Sequence, residues 1–237
     1  MIYSKGEVDR AGRLYADQLR ASEGGSSQVP SPEELEAAGK VIEWWRYEHA
    51  EPLSRVASNL RHYVAVEGRP WVTQRLKKFP TIVDKLIREP KMKLSRMADI
   101  GGVRALLPDQ DAAYQVASRL RRNWTIVRFR DYVEEPKADG YQALHLISRH
   151  RGRLIEIQLR TPLQDQWANM AEILSRLGAP DLKYGGGPTH VRELLAVLSE
   201  IHTLKEQDLP IPDPLHERHW DLVGQVDTFV DEASDES

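Results

Sequence analysis

Apolar residues recur along the first third of the chain at the three- and four-residue spacing of amphipathic helices. Ser31-Pro32-Glu33-Glu34 reads as a helix start: Ser31 caps, Pro32 fits the first helical position, and Glu34 completes a capping box. Leu35, Ala38, Val41, Ile42 and Trp45 follow at helical spacing, and Pro52 breaks or restarts the helix before Leu53, Val56 and Leu60. A short helical start precedes this region, joined to it by a Gly/Ser linker over residues 22–30.

From residue 97 the pattern changes. Met97–Leu107 reads as a buried strand interrupted at Gly101-Gly102, and Asp109 caps a helix with Ala113, Val116, Ala117 and Leu120 on one face. Trp124–Val133, Ala143–Ser148 and Arg153–Arg160 are strand candidates, the last two joined by the turn-like His150-Arg151-Gly152. Thr161-Pro162-Leu163-Gln164 is a second capping box, opening a helix to about Leu177. After the breaker Gly185-Gly186-Gly187-Pro188, a final amphipathic helix carries Val191, Leu194, Leu195, Leu198 and Ile201. The prediction is an α+β domain: a mixed sheet with helices on it, flanked by helical extensions at both ends.

Composition narrows the function classes. The 237 residues contain no cysteine, which excludes disulfides, thiolate metal sites and a cysteine nucleophile. No apolar run is long enough to span a membrane and the N-terminus lacks a signal-like apolar region, so a cytoplasmic protein is expected. The net charge of -3 conceals an asymmetry. Residues 75–130 hold fourteen Lys/Arg against five Asp/Glu, whereas 206–237 hold ten acids and one Arg. A basic middle suits nucleotide phosphates or nucleic acid, or is a solvated surface; the acidic end is expected to be mobile.

Several side chains are candidates for chemistry. On the strand Leu154–Arg160, alternation puts Glu156, Gln158 and Arg160 on one face and Ile155, Ile157 and Leu159 on the other. The polar face needs a ligand or partners, or it faces solvent. Asp99, on a neighbouring strand, supplies a second carboxylate for Mg²⁺ against phosphates, or serves as a cap or salt-bridge partner. Arg75, Lys77, Lys78 and Lys85 suit a transferring phosphoryl group, or form a basic solvated helix. Gly140-Tyr141 beside Lys137 reads as a flexible loop with an exposed aromatic for base stacking, or as packing. No P-loop, HExxH or Ser-His-Asp signature occurs.

In order, these segments resemble the synthetase domain of the RelA/SpoT family. Arg75-x-Lys77-x-x-x-Thr81-Ile82-x-x-Lys85-Leu86 is similar to the family's RxKxxxSIxxKL segment, and Asp99-Ile100-Gly101-Gly102-Val103-Arg104 to its DxxGxR strand. Lys137-Ala138-Asp139-Gly140-Tyr141-Gln142-Ala143-Leu144-His145 is similar to KxxGYxSxH, and Glu156-Ile157-Gln158-Leu159-Arg160-Thr161 to ExQxRT. The resemblance implies a nucleotidyltransferase-like fold that moves the β,γ-pyrophosphate of ATP onto a ribose 3′-hydroxyl. It implies that Asp99 and Glu156 hold Mg²⁺, Glu156 also helping to deprotonate the hydroxyl. Arg75 and Arg104 would sandwich adenine, and Lys77 and Lys85 would hold ATP phosphates. Tyr141 would stack on the acceptor base, with Lys137, His145, Gln158 and Arg160 around the acceptor. The expected divisions are a helical region over 1–70, a synthetase-like domain over 71–187, a helix over 188–206 and the mobile acidic tail over 207–237.

Two departures fall on the acceptor side: the family's WAxxEH reads Trp167-Ala168-Asn169-Met170-Ala171-Glu172, and the Ser of GYxSxH is Ala143. No HD-type hydrolase motif precedes the synthetase segments, which suggests a short, synthesis-only member. Trp45-Arg46-x-x-His49-x-x-Pro52-Leu53 is similar to a segment of the toxic small alarmone synthetases. That likeness, and arginines 119, 121, 122, 128, 130, 149, 151 and 153 as a phosphate-backbone track, put the 3′ end of tRNA first as acceptor. A guanosine (or adenosine) nucleotide comes second, and a catalytically silent nucleotide-binding protein third. A toxin implies an antitoxin partner.

Overall fold

The computed structural model describes residues 3–22, 30–65, 71–177, 179, 182 and 186–235. The linker expected over 22–30 lies outside them but for its two ends, as does Gly185 of the expected breaker. The described residues form α1 (Lys5–Ser22), α2 (Pro32–Tyr47), α3 (Ala50–Val64), β1 (Trp71–Leu76), α4 (Phe79–Arg88), β2 (Gly101–Leu106) and α5 (Gln110–Asn123). Then follow β3 (Ile126–Asp131), β4 (Leu144–His150), β5 (Arg153–Arg160), α6 (Pro162–Arg176), α7 (Thr189–Glu206) and α8 (Asp213–Asp235). None of these helices is long and apolar enough to cross a membrane.

One mixed sheet has the order β1-β2-β5-β4-β3. Only β2 and β5 run parallel; every other pairing is antiparallel. A parallel neighbour needs a crossover, and here α5 and the β3–β4 pair supply it. The β4–β5 hairpin turns on Arg151 and Gly152, both at positive φ (48° and 78°), as a type I′ turn requires.

The alternation read on β5 organises the molecule. Its apolar face (Ile155, Ile157, Leu159), with Val103, Ala105, Leu144 and Leu146, is buried against Leu53, Val56, Ala57 and Leu60 of α3 and Val116 and Leu120 of α5. Each fully buried aliphatic side chain stabilises the fold by about 1.5–3 kcal/mol. A second apolar cluster ties α1, α2 and α4 together through Val8, Ile42, Trp45, Ile82 and Leu86. A third joins α6, α7 and α8 through Trp167, Leu174, Leu195, Leu222 and Val226. Both capping boxes form, at Ser31/Glu34 and Thr161/Gln164, and Asp109 caps α5 through the Ala112 amide.

Two expectations are corrected, and one strand is added. The strand read from Met97 starts only at Gly101: Leu94–Arg96 is a 3₁₀ turn, and Asp99 sits in the turn before β2. Gly101 is confined by close packing, since a Cβ there would approach Ile155 Cδ1 to 2.7 Å. Trp71–Leu76 is an edge strand unmarked by hydrophobic pattern, because it is mostly exposed and shows no clean alternation. The acidic tail is helix α8, with Leu222, Val226 and Phe229 packed on the α6–α7 side, so α7 is not the final helix. Charge suggested mobility, but the apolar positions recur at helical spacing and the Arg218 guanidinium pairs with Glu193 and Asp221.

Candidate active site

Strand register gathers the polar candidates on the sheet face opposite α3 and α5. One cross-strand row is Thr73, Arg104, Gln158, His145 and Arg130; the next is Arg75, Gly102, Glu156, Ile147 and Arg128. Side chains of paired residues point the same way, so all four sequence motifs deliver to one face.

On the β1–β2 side, Asp99 is the point of convergence. Its two oxygens each accept from a lysine, Oδ2 from Lys77 Nζ and Oδ1 from Lys85 Nζ, both at 3.0 Å. Burial pushes the Asp99 carboxyl up, but the two ammonium groups outweigh it and hold it below the ordinary carboxylate value. Lys77 is placed by its amide on Ile100 O (2.8 Å) and by Arg46 Nε, which donates to the Lys77 carbonyl at 2.7 Å. Lys85 comes from α4, whose buried face is Ile82, Val83 and Leu86. The basic segment is thus strand, cap and helix rather than one solvated helix.

On the β5–β4 side, a chain of hydrogen bonds runs along the polar face. Arg160 Nη2 donates to the Tyr141 hydroxyl (2.8 Å) and to Gln158 Oε1 (2.9 Å), and Gln158 Nε2 donates to Glu156 Oε2 (2.8 Å). The Tyr141 hydroxyl lies 2.6 Å from His145 Nε2, and His145 Nδ1 lies 3.3 Å from Glu156 Oε1. A guanidinium cannot accept, so with neutral imidazole the polarity is set: Tyr141 donates to Nε2, and Nδ1–H donates to Glu156. Burial raises the Tyr141 hydroxyl above its usual pKa and Arg160 pulls the other way, leaving it a proton-bearing donor. Burial also pushes Glu156 up, but His145 and Gln158 reverse this and leave it lowered, against the opposing charge of Asp99.

Tyr141 is not the exposed aromatic that the loop suggested. Its ring is part-buried, edge-on to Tyr132, His145 and Trp167, with Lys137 Nζ 4.7 Å and Arg160 Cζ 5.2 Å from its centroid. The loop is pinned to α7. Gly140 has φ +88°, its carbonyl accepts from Ser199 Oγ (2.6 Å), and a Cβ there would fall 2.7 Å from Ser199 Cβ. Trp167, first residue of the altered WAxxEH stretch, is buried and donates to Leu195 O at 2.6 Å.

Two carboxylates that repel each other and lie under a basic rim fit a magnesium ion. Mg²⁺ takes one or two carboxylates and completes its shell with substrate phosphates and waters. Among the described residues no cluster of three or more metal-binding side chains occurs, so phosphate oxygens are needed to complete such a site.

The eight arginines do not form one track. Arg119 and Arg121 lie on α5, against the opposite sheet face, stacked on Tyr63 and Phe129. Arg151 pairs with Glu51, and Arg153 pairs with Glu48 and covers Trp45. Arg128, Arg130 and Arg149 stay on the site side of the sheet. Trp45 and His49 are buried and act as a joint between α2, α3 and β5. Sequence reasoning missed Asp165, buried in the first turn of α6, which accepts from Arg104 (3.0 Å), Arg160 (3.1 Å) and Asn169 (3.2 Å). Its spacing to Asn169, one helical turn on, was the available signal.

Comparison with known proteins places the chain in a family. Residues 74–175 match the family described as "Region found in RelA / SpoT proteins". GTP pyrophosphokinase YjbM of Bacillus subtilis is 30% identical over 152 residues, 59% of this chain and 69% of its own length. Uncharacterized protein Rv1366 of Mycobacterium tuberculosis is 28% identical over 84% of this chain and 72% of its own. The crystal structure of small alarmone synthetase 1 from Bacillus subtilis superposes with TM-score 0.60 at 25% identity, covering 70% of this chain and 93% of that one. In the structure bound to its product pppGpp the values are 0.58 and 26%, covering 70% and 94%. The chain belongs to the RelA/SpoT family of pyrophosphokinases.

Proposed function

We propose that this protein transfers the β,γ-pyrophosphate of ATP to the ribose 3′-hydroxyl of a guanosine nucleotide. The observation that carries the reading is the convergence of Asp99 with Lys77 and Lys85, and of Glu156 with His145, on one sheet face. Phosphoryl transfer depends on positioning and charge neutralisation, and this face offers both. Arg75 and Arg104 hold the adenine, while Lys77 and Lys85 exchange Asp99 for ATP phosphates. Asp99 and Glu156 would hold Mg²⁺, which neutralises charge on the phosphate oxygens. The 3′-oxygen bonds to the β-phosphorus, the bond from that phosphorus to the bridging oxygen of AMP breaks, and AMP leaves. The hydroxyl proton passes to Glu156, which His145 orients. Lys137, Tyr141, Gln158 and Arg160 position the acceptor.

The guanosine acceptor is supported by the name of the relative YjbM and by the pppGpp product in the neighbouring structure. A second reading keeps the tRNA 3′ end as acceptor, in a translation-blocking toxin restrained by an antitoxin. It is favoured by exposed Arg128 and Arg130, which extend the basic face beyond His145. Incubation with γ-labelled ATP and either GDP, GTP, adenosine nucleotides or deacylated tRNA separates these. Label on GDP or GTP is the expected result, and label on tRNA alone selects the second reading. Binding of ATP without transfer to any acceptor would leave a silent nucleotide-binding protein.

A further inference from the structure

Arg104 belongs to the donor half of the site and Arg160 to the acceptor half, yet both guanidinium groups rest on one atom. Asp165 Oδ1 accepts from Arg104 Nη1 at 3.0 Å and from Arg160 Nη1 at 3.1 Å, while Oδ2 accepts from Asn169 at 3.2 Å. The Asp165 and Arg160 side chains are 7% and 4% exposed, whereas Arg104 is 31% exposed. The two guanidinium charges oppose each other, and the carboxylate between them is what allows them to lie side by side. Through its other nitrogen, Arg160 holds the Tyr141 hydroxyl and the Gln158 amide.

We propose that Asp165 is a positioning residue that couples the two nucleotide subsites. Drawing Arg104 onto the adenine changes the hydrogen bond it shares, and the change reaches the acceptor loop through Arg160 and Tyr141. A shared buried acceptor transmits such a shift because either guanidinium can strengthen its bond only as the other yields. Binding free energies are reciprocal, so the acceptor must tighten ATP binding by the same factor as ATP tightens acceptor binding. This rests on the proposed function, since it presumes one subsite on each side of Asp165.

The test is calorimetry with α,β-methylene-ATP, whose α–β linkage is not cleaved in the transfer, alone and with saturating GDP. Wild-type protein is expected to bind the analogue at least about fivefold more tightly with GDP present. Asp165→Asn is expected to reduce that factor to within about twofold, and Asp165→Glu, which keeps the charge, to restore most of it. Asn169→Ala, which leaves both arginine bonds, is expected to retain it. Hydrogen exchange on wild-type protein needs no variant: the analogue alone should slow the Lys137 and Gly140 amides. Coupling unchanged in folded Asp165→Asn, or protection confined to β1 and α4, overturns the assignment of Asp165 alone. Wild-type protein that binds neither ligand sinks the functional reading, and the coupling with it.

Discussion

The Tyr141 hydroxyl lies 2.6 Å from His145 Nε2, and the opposite nitrogen of that imidazole faces Glu156. Tyr141 therefore fixes the orientation of a carboxylate it does not touch. Tyr141→Phe keeps the ring contacts with Tyr132 and Trp167 and removes only the hydroxyl. Arg160 and His145 each lose a buried partner, so the initial transfer rate should fall about ten- to a hundredfold. An unchanged rate in a labelled-ATP assay would remove the hydroxyl from the mechanism.

Lys77→Met takes from Asp99 one of the two cations that offset its burial. The carboxyl then titrates higher, so the acid limb of the pH–rate profile should move to higher pH, while the rate at neutral pH falls by about tenfold or more. The sign follows from Asp99 being held low in the wild type: its ionised form persists as pH falls, and the variant loses it earlier. A rate profile across acidic pH decides the matter.

His49 is buried, donates Nδ1–H to the Trp45 carbonyl at 2.8 Å, and has its pKa lowered by burial from 6.5 to about 4. Between those values the unfolded chain binds a proton that the folded chain refuses, so stability falls as pH drops from 6.5 towards 4. The loss should reach about 3 kcal/mol. Urea midpoints measured over this range should slope for the wild type and flatten for His49→Gln.

Gly140→Ala places a Cβ at positive φ and 2.7 Å from Ser199 Cβ. The loop must shift away from α7, at a cost of about 1–2 kcal/mol. The acceptor KM should rise about tenfold and the ATP KM by less, no more than the about fivefold coupling between the subsites, which steady-state kinetics with each substrate varied in turn will show.

Leu222 is fully buried between α8 and its neighbours, whereas Trp220 is 60% exposed. Leu222→Ala should cost about 2–5 kcal/mol of unfolding free energy, and Trp220→Ala about 0.5 kcal/mol or less. Equal, negligible effects in denaturant titrations would return the C-terminal segment to the mobile state its charge suggested.

The sequence carried its clearest signals where local rules suffice. Ser31, Asp109 and Thr161 announced their helices because a cap is written within four residues. The face shared by Glu156, Gln158 and Arg160 followed from period two alone. The edge strand β1 was silent because exposed Gln74 interrupts its core-facing positions Val72 and Leu76, so no run of alternation stands out. Asp99 was placed inside a strand that in fact begins two residues after it, because buried Met97 and Ile100 imitate one. The acidic helix α8 was hidden because net charge masked Leu222 and Val226. Asp165 was passed over as a site residue because its arginine partners, Arg104 and Arg160, come from strands that only tertiary structure brings together, and the Asn169 spacing alone does not point to them.

Asp99 stands just before β2 and Glu156 lies in β5, and the parallel pairing of those strands spans α5, β3 and β4 in the sequence. Contacts of such long sequence separation carry a loop-closure cost that makes their formation slow. The acceptor loop leans further on Ser199, in α7. During synthesis, then, a nascent chain that has exposed its whole basic segment still lacks Glu156 and the α7 support of the loop. On the proposed reading, pyrophosphate transfer is expected to begin only once the chain through α7 has emerged and docked, which a transfer assay on stalled nascent chains would check.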